Sequence, residues 1–185
     1  MTETSIITYL IHPVESSRVS LALIKTGVMA GKKHNFNFSS YRGQIDVDPS
    51  NRENSTVTFT VESDSIVCQD KWIGDGDKKK LLGYIFTEGL QVEKHPEISF
   101  ISTKVKQKSD TTYDVFGKLV VRGIEKQITT ELSIQPGSTK LLEMMGISSF
   151  KLSDFGIKPP PTKYGLAGTK DEIVVDFELV ASPKS

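Results

Sequence analysis

Apolar and polar residues alternate along most of this chain, and a period of two predicts β-strands that bury one face. In residues 56–67, Val57, Phe59 and Val61 share one face and polar residues occupy the other. The same alternation predicts further strands at Val19, Leu21 and Leu23; Phe36 and Phe38; Ile45 and Val47; Ile98 and Phe100; Tyr113, Val115, Gly117, Leu119 and Val121; Ile128, Thr130, Leu132 and Ile134; Phe150 and Leu152; Ile173, Val175, Phe177 and Leu179.

Short turn signals separate these strands. Asp48–Asn51 predicts a turn, and Ser109-Asp110 and Arg122-Gly123 each separate two strands. Because the connections are short and no long helix lies between strands, we expect antiparallel pairing rather than a parallel sheet.

One segment, Asp77–Phe86, predicts a helix, because its apolar residues Leu81, Leu82 and Ile85 fall at near-helical spacing. Asp75 or Asp77 is expected to cap this helix, and Gly89 to end it. Pro96 then stops any helical continuation before the strand at Ile98.

The strands and the helix together predict one domain over residues 1–185, an all-β antiparallel barrel of about eight strands with one short helix between strands. Closure is favoured because it removes the exposed edges of the sheet. Two longer loops are expected, at Pro136–Gly146 and at Lys158–Lys170 with its three consecutive prolines.

Composition argues for a globular protein that does not bind nucleic acid. Hydrophobic residues make up 37% of the chain and charged residues 25%, as in ordinary globular domains. The 23 Lys and Arg residues balance 23 Asp and Glu residues, so no overall positive field would concentrate nucleic acid. The basic run Lys78–Lys80 is too short to change this, and it predicts a solvated helix face.

No apolar run is long enough to predict an integral membrane segment. The first ten residues lack a basic region followed by an apolar core, so the chain as given is expected to be cytoplasmic. A periplasmic protein whose signal peptide had been removed would present the same sequence.

Residues that carry catalytic chemistry are sparse. Cys68 is the single cysteine and is expected to be a small buried hydrophobe. His12, His34 and His95 lack metal-ligand spacing. The chain contains no nucleophile elbow, phosphate-binding loop or zinc-protease motif, and Gly74–Asp77 lacks most of a calcium loop. We therefore expect neither an enzyme nor a metal site.

Five segments resemble a known family in its order and spacing. Gly43–Pro49 is similar to the family's Gly-x-Ile-x-Phe-Asp-Pro segment, and Val92–Thr103 to Val-Glu-Lys-Tyr-Pro-x-Ile-x-Phe-x-Ser-Thr. Ser17–Ser20, Gly117–Lys126 and Ser153–Ile157 resemble its opening strand, its Gly-Asp-Leu-Thr-Leu-x-Gly-Val-Thr-Lys hairpin and its Ser-Asp-Phe-Gly-Leu segment. The chain thus resembles, from about Tyr9 to Ala181, the YceI-like, polyisoprenoid-binding family of lipocalin-like barrels.

The resemblance implies a barrel whose apolar tunnel holds a long isoprenoid chain, such as a polyprenyl phosphate or a quinone tail, without catalysis or another cofactor. It also implies a possible homodimer. Two departures keep head-group contacts from being carried over: the chain has Lys25-Thr26 where the family often has Lys-His, and its helix lacks the family's histidine. Pro159–Pro161 also differs from the family pattern.

The candidate lining of the tunnel comes from the apolar strand faces: Phe36, Phe38, Phe59, Val61, Phe100, Leu119, Val121, Leu132, Phe150 and Phe155. Trp72, with Leu82 and Phe86, is expected to close the mouth, or else Trp72 anchors the helix. His34 could bind a quinone carbonyl or a phosphate, or else be a surface or internally satisfied histidine. The alternatives for the whole protein are a filled barrel that serves as an interaction module and a lipid-modifying enzyme.

Overall fold

The structure is a computed structural model that describes residues 5–136, 140–160 and 167–185. The described residues form eleven strands: β1 (Ile7–Ile11), β2 (Arg18–Gly27), β3 (Lys33–Phe38), β4 (Tyr41–Val47), β5 (Thr56–Glu62), β6 (Ile66–Cys68), β7 (Glu97–Gln107), β8 (Thr112–Val121), β9 (Ile124–Pro136), β10 (Leu142–Lys151) and β11 (Ala167–Pro183). They also form helix α1 (Asp75–Tyr84), a π-helical turn at Ile85–Gly89, and short 3₁₀ turns at Arg52–Asn54, Ser63–Ser65 and Leu152–Phe155.

Eight strands close into a barrel in the order β1, β4, β5, β7, β8, β9, β10, β11. The ring closes where β1 pairs with the end of β11, with Tyr9 opposite Pro183 and Ile11 opposite Ala181. Every pairing is antiparallel. The predicted fold class, a closed antiparallel barrel of about eight strands with one helix, is confirmed.

Strand β11 is 17 residues long and pairs with two strands along the same edge. Its last residues pair with β1, while its segment from Ala167 to Glu178 pairs with β2. Strands β3 and β6 follow β2 and extend the wall at this end of the barrel. Helix α1 lies beside β6 and continues into the π-helical turn, and Leu81, Leu82, Phe86 and Leu90 pack from there onto the core.

The predicted turn at Arg122-Gly123 is confirmed. It connects β8 to β9 through two residues with φ of 54° and 72°. Two successive positive φ values are those of the two-residue turn whose twist matches antiparallel strands.

The sequence pattern misplaced several element boundaries. The strand expected at 56–67 is two strands, because Ser63–Ser65 forms a 3₁₀ turn held by the Ser65 hydroxyl on the Glu62 carbonyl at 2.8 Å. Strand β1 was not expected. Leu152 lies in a 3₁₀ turn rather than in a strand.

The helix begins at Asp75, two residues earlier than expected, and its N-cap is Gly74, which makes no side-chain capping bond. The prediction that Asp75 or Asp77 caps the helix is therefore wrong. The regular helix stops at Tyr84, and the π-helical turn continues to Gly89, where the end was expected.

Both predicted loops are too long. Strand β10 already begins at Leu142. Its start was missed because two of its inward positions hold Gly146 and Ser148, which interrupt the apolar alternation. Strand β11 begins at Ala167. The remaining loop positions 137–139 and 161–166 lie outside the described residues.

The turn between β4 and β5 yields a prediction on pH dependence. The Ser50 hydroxyl and the Asn54 amide donate to the Asp48 carboxylate at 2.6 and 3.1 Å. These bonds, together with hydrogen bonds from the backbone N–H groups of Ser50 and Asn51, lower the pKa of Asp48 from 3.8 to about 2. Because the folded-state pKa is depressed, the stabilisation is present above pH 3.8 and is lost as the pH falls through about 2.

Asp48→Asn should therefore lower the free energy of unfolding at neutral pH, and the difference from wild type should shrink as the pH falls through that window. Denaturant unfolding at several pH values measures this. The matched control is Asp110→Asn, at an exposed aspartate in the β7–β8 turn. An equal pH dependence of wild type and Asp48→Asn would contradict the assignment.

Candidate functional site

The barrel encloses a cavity of about 220 Å³. Strands of the ring and β2, β3 and β6 contribute to its wall, because every second residue of a barrel strand faces inward. The lining is almost wholly apolar, and its polar side chains are few: Tyr84, Ser99, Thr130, Ser148 and Lys158.

Nine of the predicted site residues line this cavity: Phe36, Phe38, Phe59, Val61, Phe100, Leu119, Val121, Leu132 and Phe150. They come from β3, β5, β7, β8, β9 and β10, so residues far apart in the chain converge on one space. That a ligand touches them remains a prediction.

Three predicted apolar residues do not line the cavity. Phe155 is fully buried in the core, with its ring edge-on to Phe150 at a centroid distance of 5.4 Å. Leu82 and Phe86 are half-buried and pack on the core from the helical segment. These three pack in or against the core and do not form the cavity surface.

His34 is satisfied by the protein itself. Its Nδ1 lies 2.5 Å from Oδ2 of Asp70, whose other oxygen accepts the Asn35 amide at 2.9 Å. The His34 side chain is 7% exposed and does not line the cavity. Of the two alternatives for His34, this placement matches a histidine that is hydrogen-bonded within the protein and not one that contacts a ligand head group.

Trp72 lies outside the cavity as well. Its ring stacks on His34 at a centroid distance of 4.9 Å, and its Nε1 donates to the Lys33 carbonyl at 3.2 Å. The indole thus ties the segment before α1 to β3, which corresponds to an anchor and not to a lid over the cavity.

Sequence reasoning missed the contribution of the helical segment and of β10. Ile85, Gly89 and Leu90 line the cavity from the π-helical turn and its end, and Met144 and Ser148 line it from β10. Strict alternation from Phe150 back along β10 would have found Ser148 and Met144. No local signal indicates a π-helical turn.

Glycines opposite phenylalanines shape the inner wall. A Cβ at Gly146 would lie 2.2 Å from Cζ of Phe177, and one at Gly43 would lie 2.8 Å from Cδ2 of Phe59. In both pairs the two residues are directly opposite on neighbouring strands. Each phenylalanine ring therefore occupies the space that a larger side chain at the glycine would fill. The aromatic ring lies against the barrel wall instead of crossing the lumen.

The Phe100 ring also packs on a glycine, but Gly117 is diagonal to Phe100 on the neighbouring strand rather than directly opposite it. A Cβ at Gly117 would lie 2.3 Å from Cζ of Phe100 and 2.6 Å from the Ile101 carbonyl oxygen. Backbone oxygen cannot move cheaply, and a Cβ at Gly43 would meet its nearest backbone oxygen, that of Thr58, only at 2.9 Å, so Gly117 is the least replaceable of the three.

One end of the inner wall is polar. Lys25 is the next inward position on β2 beyond Leu23, and it is only 9% exposed. Burial lowers the pKa of its amine. Thr169 lies directly opposite Lys25 on β11, and its buried hydroxyl has no hydrogen-bond partner among the described residues.

Over residues 5–136, 140–160 and 167–185, no three His, Cys, Asp or Glu side chains converge to hold a metal ion. Within the same ranges, no helix is long and apolar enough to cross a membrane. Cys68 is buried, as expected, and burial raises the pKa of its thiol.

Comparison with known proteins places the chain among bacterial relatives. The family model of the YceI-like domain matches residues 9–181. A UPF0312 protein of Pseudomonas savastanoi pv. phaseolicola is 30% identical over 77% of this chain and 71% of its own length. A UPF0312 protein of Pseudomonas putida is 27% identical over 66% of this chain, and the match spans 63% of that relative's length.

Solved structures share the fold at low sequence identity. BcnA of Burkholderia cenocepacia superposes with a TM-score of 0.74 at 19% identity, covering 90% of this chain and 96% of that chain. A polyisoprenoid binding domain of Saccharophagus degradans superposes with a TM-score of 0.66 at 12% identity, covering 95% and 98%.

The glycine–phenylalanine packing yields a prediction on cavity shape. Gly146→Ala should push the Phe177 ring into the lumen, because the three atoms nearest to the new Cβ all belong to that ring. We expect the free energy of unfolding to fall by about 1–3 kcal/mol and the cavity to shrink. Denaturant unfolding and a crystal structure of the variant measure the two effects.

The matched control is Gly83→Ala, because nothing lies within 4 Å of a Cβ at this exposed helical glycine. It should gain stability, by about 0.5–1 kcal/mol. A Gly146→Ala protein with wild-type stability and an unchanged lumen would show that this pair does not determine the shape of the cavity.

Proposed function

The chain belongs to the YceI-like domain family, and on this basis we propose that it binds the isoprenoid tail of a lipid in the barrel cavity, as a carrier or sequestering protein. The observation that carries the proposal is the apolar cavity itself. The proposed activity is binding alone, without chemical change of the lipid.

The cavity is too large to be a packing defect and too apolar to be a water site. A single water needs about 10–15 Å³ of such volume and two to four polar partners. The cavity measures about 220 Å³ and has few polar lining groups. Apolar atoms fill such a space at a gain of about 0.8 kcal/mol for each methylene removed from water.

An isoprenoid tail suits this lining better than a compact ligand. A long unsaturated chain needs extended apolar walls rather than many directional contacts. The rings of Phe59, Phe100 and Phe177 offer such a surface. The Saccharophagus degradans domain of the same fold is described as polyisoprenoid binding, which supports the same ligand class for this chain.

The polar end of the wall favours a position for the head group. The amine of Lys25 and the hydroxyl of Thr169 lie beyond the apolar lining on β2 and β11. A phosphate there would provide a counter-charge for the buried amine and an acceptor for the hydroxyl. We therefore favour a polyprenyl phosphate over a quinone.

Native mass spectrometry of the purified protein, followed by lipid extraction and added polyprenyl phosphate, tests the proposal. We expect a stoichiometric prenyl-lipid adduct or its uptake. Ser148→Phe, which adds a ring inside the cavity, should weaken uptake by about tenfold or more, since displaced tail atoms each lose their burial. Ser149→Phe, on the outer face of the same strand, should bind like wild type.

A clean ligand-free mass with no uptake of polyprenyl phosphate or of a quinone would overturn the proposal in favour of a filled-barrel interaction module. Equal loss in Ser148→Phe and Ser149→Phe would indicate general damage to the barrel. The free energy of unfolding of both variants is measured alongside to separate these outcomes.

Lys25→Met separates the head group from the tail. This variant should bind polyprenyl phosphate more weakly and the uncharged polyprenol unchanged. Without ligand it should be more stable than wild type at neutral pH, because a buried unpaired charge is costly. Burial lowers the pKa of Lys25, so this gain should narrow as the pH rises through the folded-state pKa and the wild-type amine loses its proton.

A further inference from the structure

Two segments meet just before α1 in the fold. The turn from β2 to β3 carries Val28 and Lys32, and Lys33 begins β3, while the segment before α1 carries Lys71 and Trp72. The Trp72 Nε1 donates to the Lys33 carbonyl at 3.2 Å, and the Lys32 amine lies 4.9 Å from the centroid of the indole. With Lys78, Lys79 and Lys80 of α1 these residues form what we call the lysine rim.

The rim exposes large apolar side chains. Val28 is 78% exposed at the tip of its turn, and Trp72 is 39% exposed. The anchoring contacts of Trp72 leave part of its indole exposed, and both this indole and the Val28 side chain are suited to the boundary between water and acyl chains.

The rim is positive although the chain as a whole is neutral. It holds six lysines against two acidic residues of α1, Asp75 and Asp77. Among the described residues, the ion pairs of these lysines are limited to Lys80 with Asp77 at 4.0 Å. The nearby Asp70 is buried against His34 and adds nothing to the exposed charge.

We propose that the lysine rim docks this protein on the surface of a bilayer that contains anionic lipids. The lysines would meet the lipid head groups, and Val28 and Trp72 would enter the interfacial layer. The balanced total charge and the exposed apolar tips favour a bilayer over a nucleic acid or an acidic protein, which would need charge but no apolar insertion.

Docking here would bring the cavity close to the bilayer. Helix α1 starts within the rim and runs into the π-helical turn, whose Ile85 and Gly89 line the cavity. This proposal goes beyond lipid binding in the cavity, and the surface contact does not require an occupied cavity.

Trp72 is the single tryptophan of the chain, so its fluorescence reports on the rim alone. The purified protein is titrated with vesicles of phosphatidylglycerol and phosphatidylcholine, and with vesicles of phosphatidylcholine only. We expect co-sedimentation with the anionic vesicles, weakened by added salt. The Trp72 emission should shift to shorter wavelength, and brominated lipids should quench it.

Matched variants test the residues. Lys79→Gln with Lys80→Gln should weaken binding to anionic vesicles by about tenfold or more. The control, Lys104→Gln with Lys106→Gln on the exposed face of β7, should bind like wild type. Val28→Ser should reduce binding several-fold, while Ile101→Ser, at an exposed apolar residue of β7, should not.

Absence of binding to anionic vesicles would overturn the proposal, as would equal losses in the rim and control variants. A DNA duplex serves as a competing polyanion. Binding to DNA as tight as to vesicles, with unchanged Trp72 emission, would indicate a general anion-binding face and would equally overturn it. Uptake of polyprenyl phosphate in detergent by the rim variants stays at the wild-type level if only docking is lost.

Discussion

The pairing of β1 with the end of β11 closes the sheet, and the other features of the molecule depend on that closure. An open sheet ending at β11 would leave backbone groups unpaired along that strand, whereas β1 and β2 together pair this edge of β11. Closure also divides every strand into an inner and an outer face. The inner faces then enclose a lumen that side chains must either fill or leave open.

Small residues and flat aromatic rings keep the lumen open. Gly43, Gly117 and Gly146 each provide the space that a neighbouring phenylalanine ring occupies. Those rings would otherwise have to project across the barrel, where they would fill the cavity as an ordinary core does. The same residues therefore account for tight packing of the wall and for the space within it, and an apolar chain is the occupant that such a surface stabilises.

Polar and charged groups are segregated from this apolar interior. His34 and Asp70 satisfy each other beneath Trp72, and Lys25 faces Thr169 at the end of the wall. The lysine rim includes the start of α1, and this helix leads into the π-helical turn that lines the cavity. The tail site, the head-group position and the docking surface that we propose would thus follow one another from the lumen to the solvent.

The sequence by itself determined the fold class and most of the inner wall, because in a barrel strand the inward direction follows from a period of two. Phe36, Phe59 and Leu119 could be assigned from their local alternation alone. The sequence did not reveal β1, the start of β10 or the π-helical turn, whose residues carry weak or misleading local patterns. Only the tertiary structure decided that His34 is satisfied by Asp70, that Phe155 is buried in the core without lining the cavity, and that phenylalanine rings pack against glycines of the wall. These outcomes depend on contacts between residues distant in the chain, which no local pattern encodes.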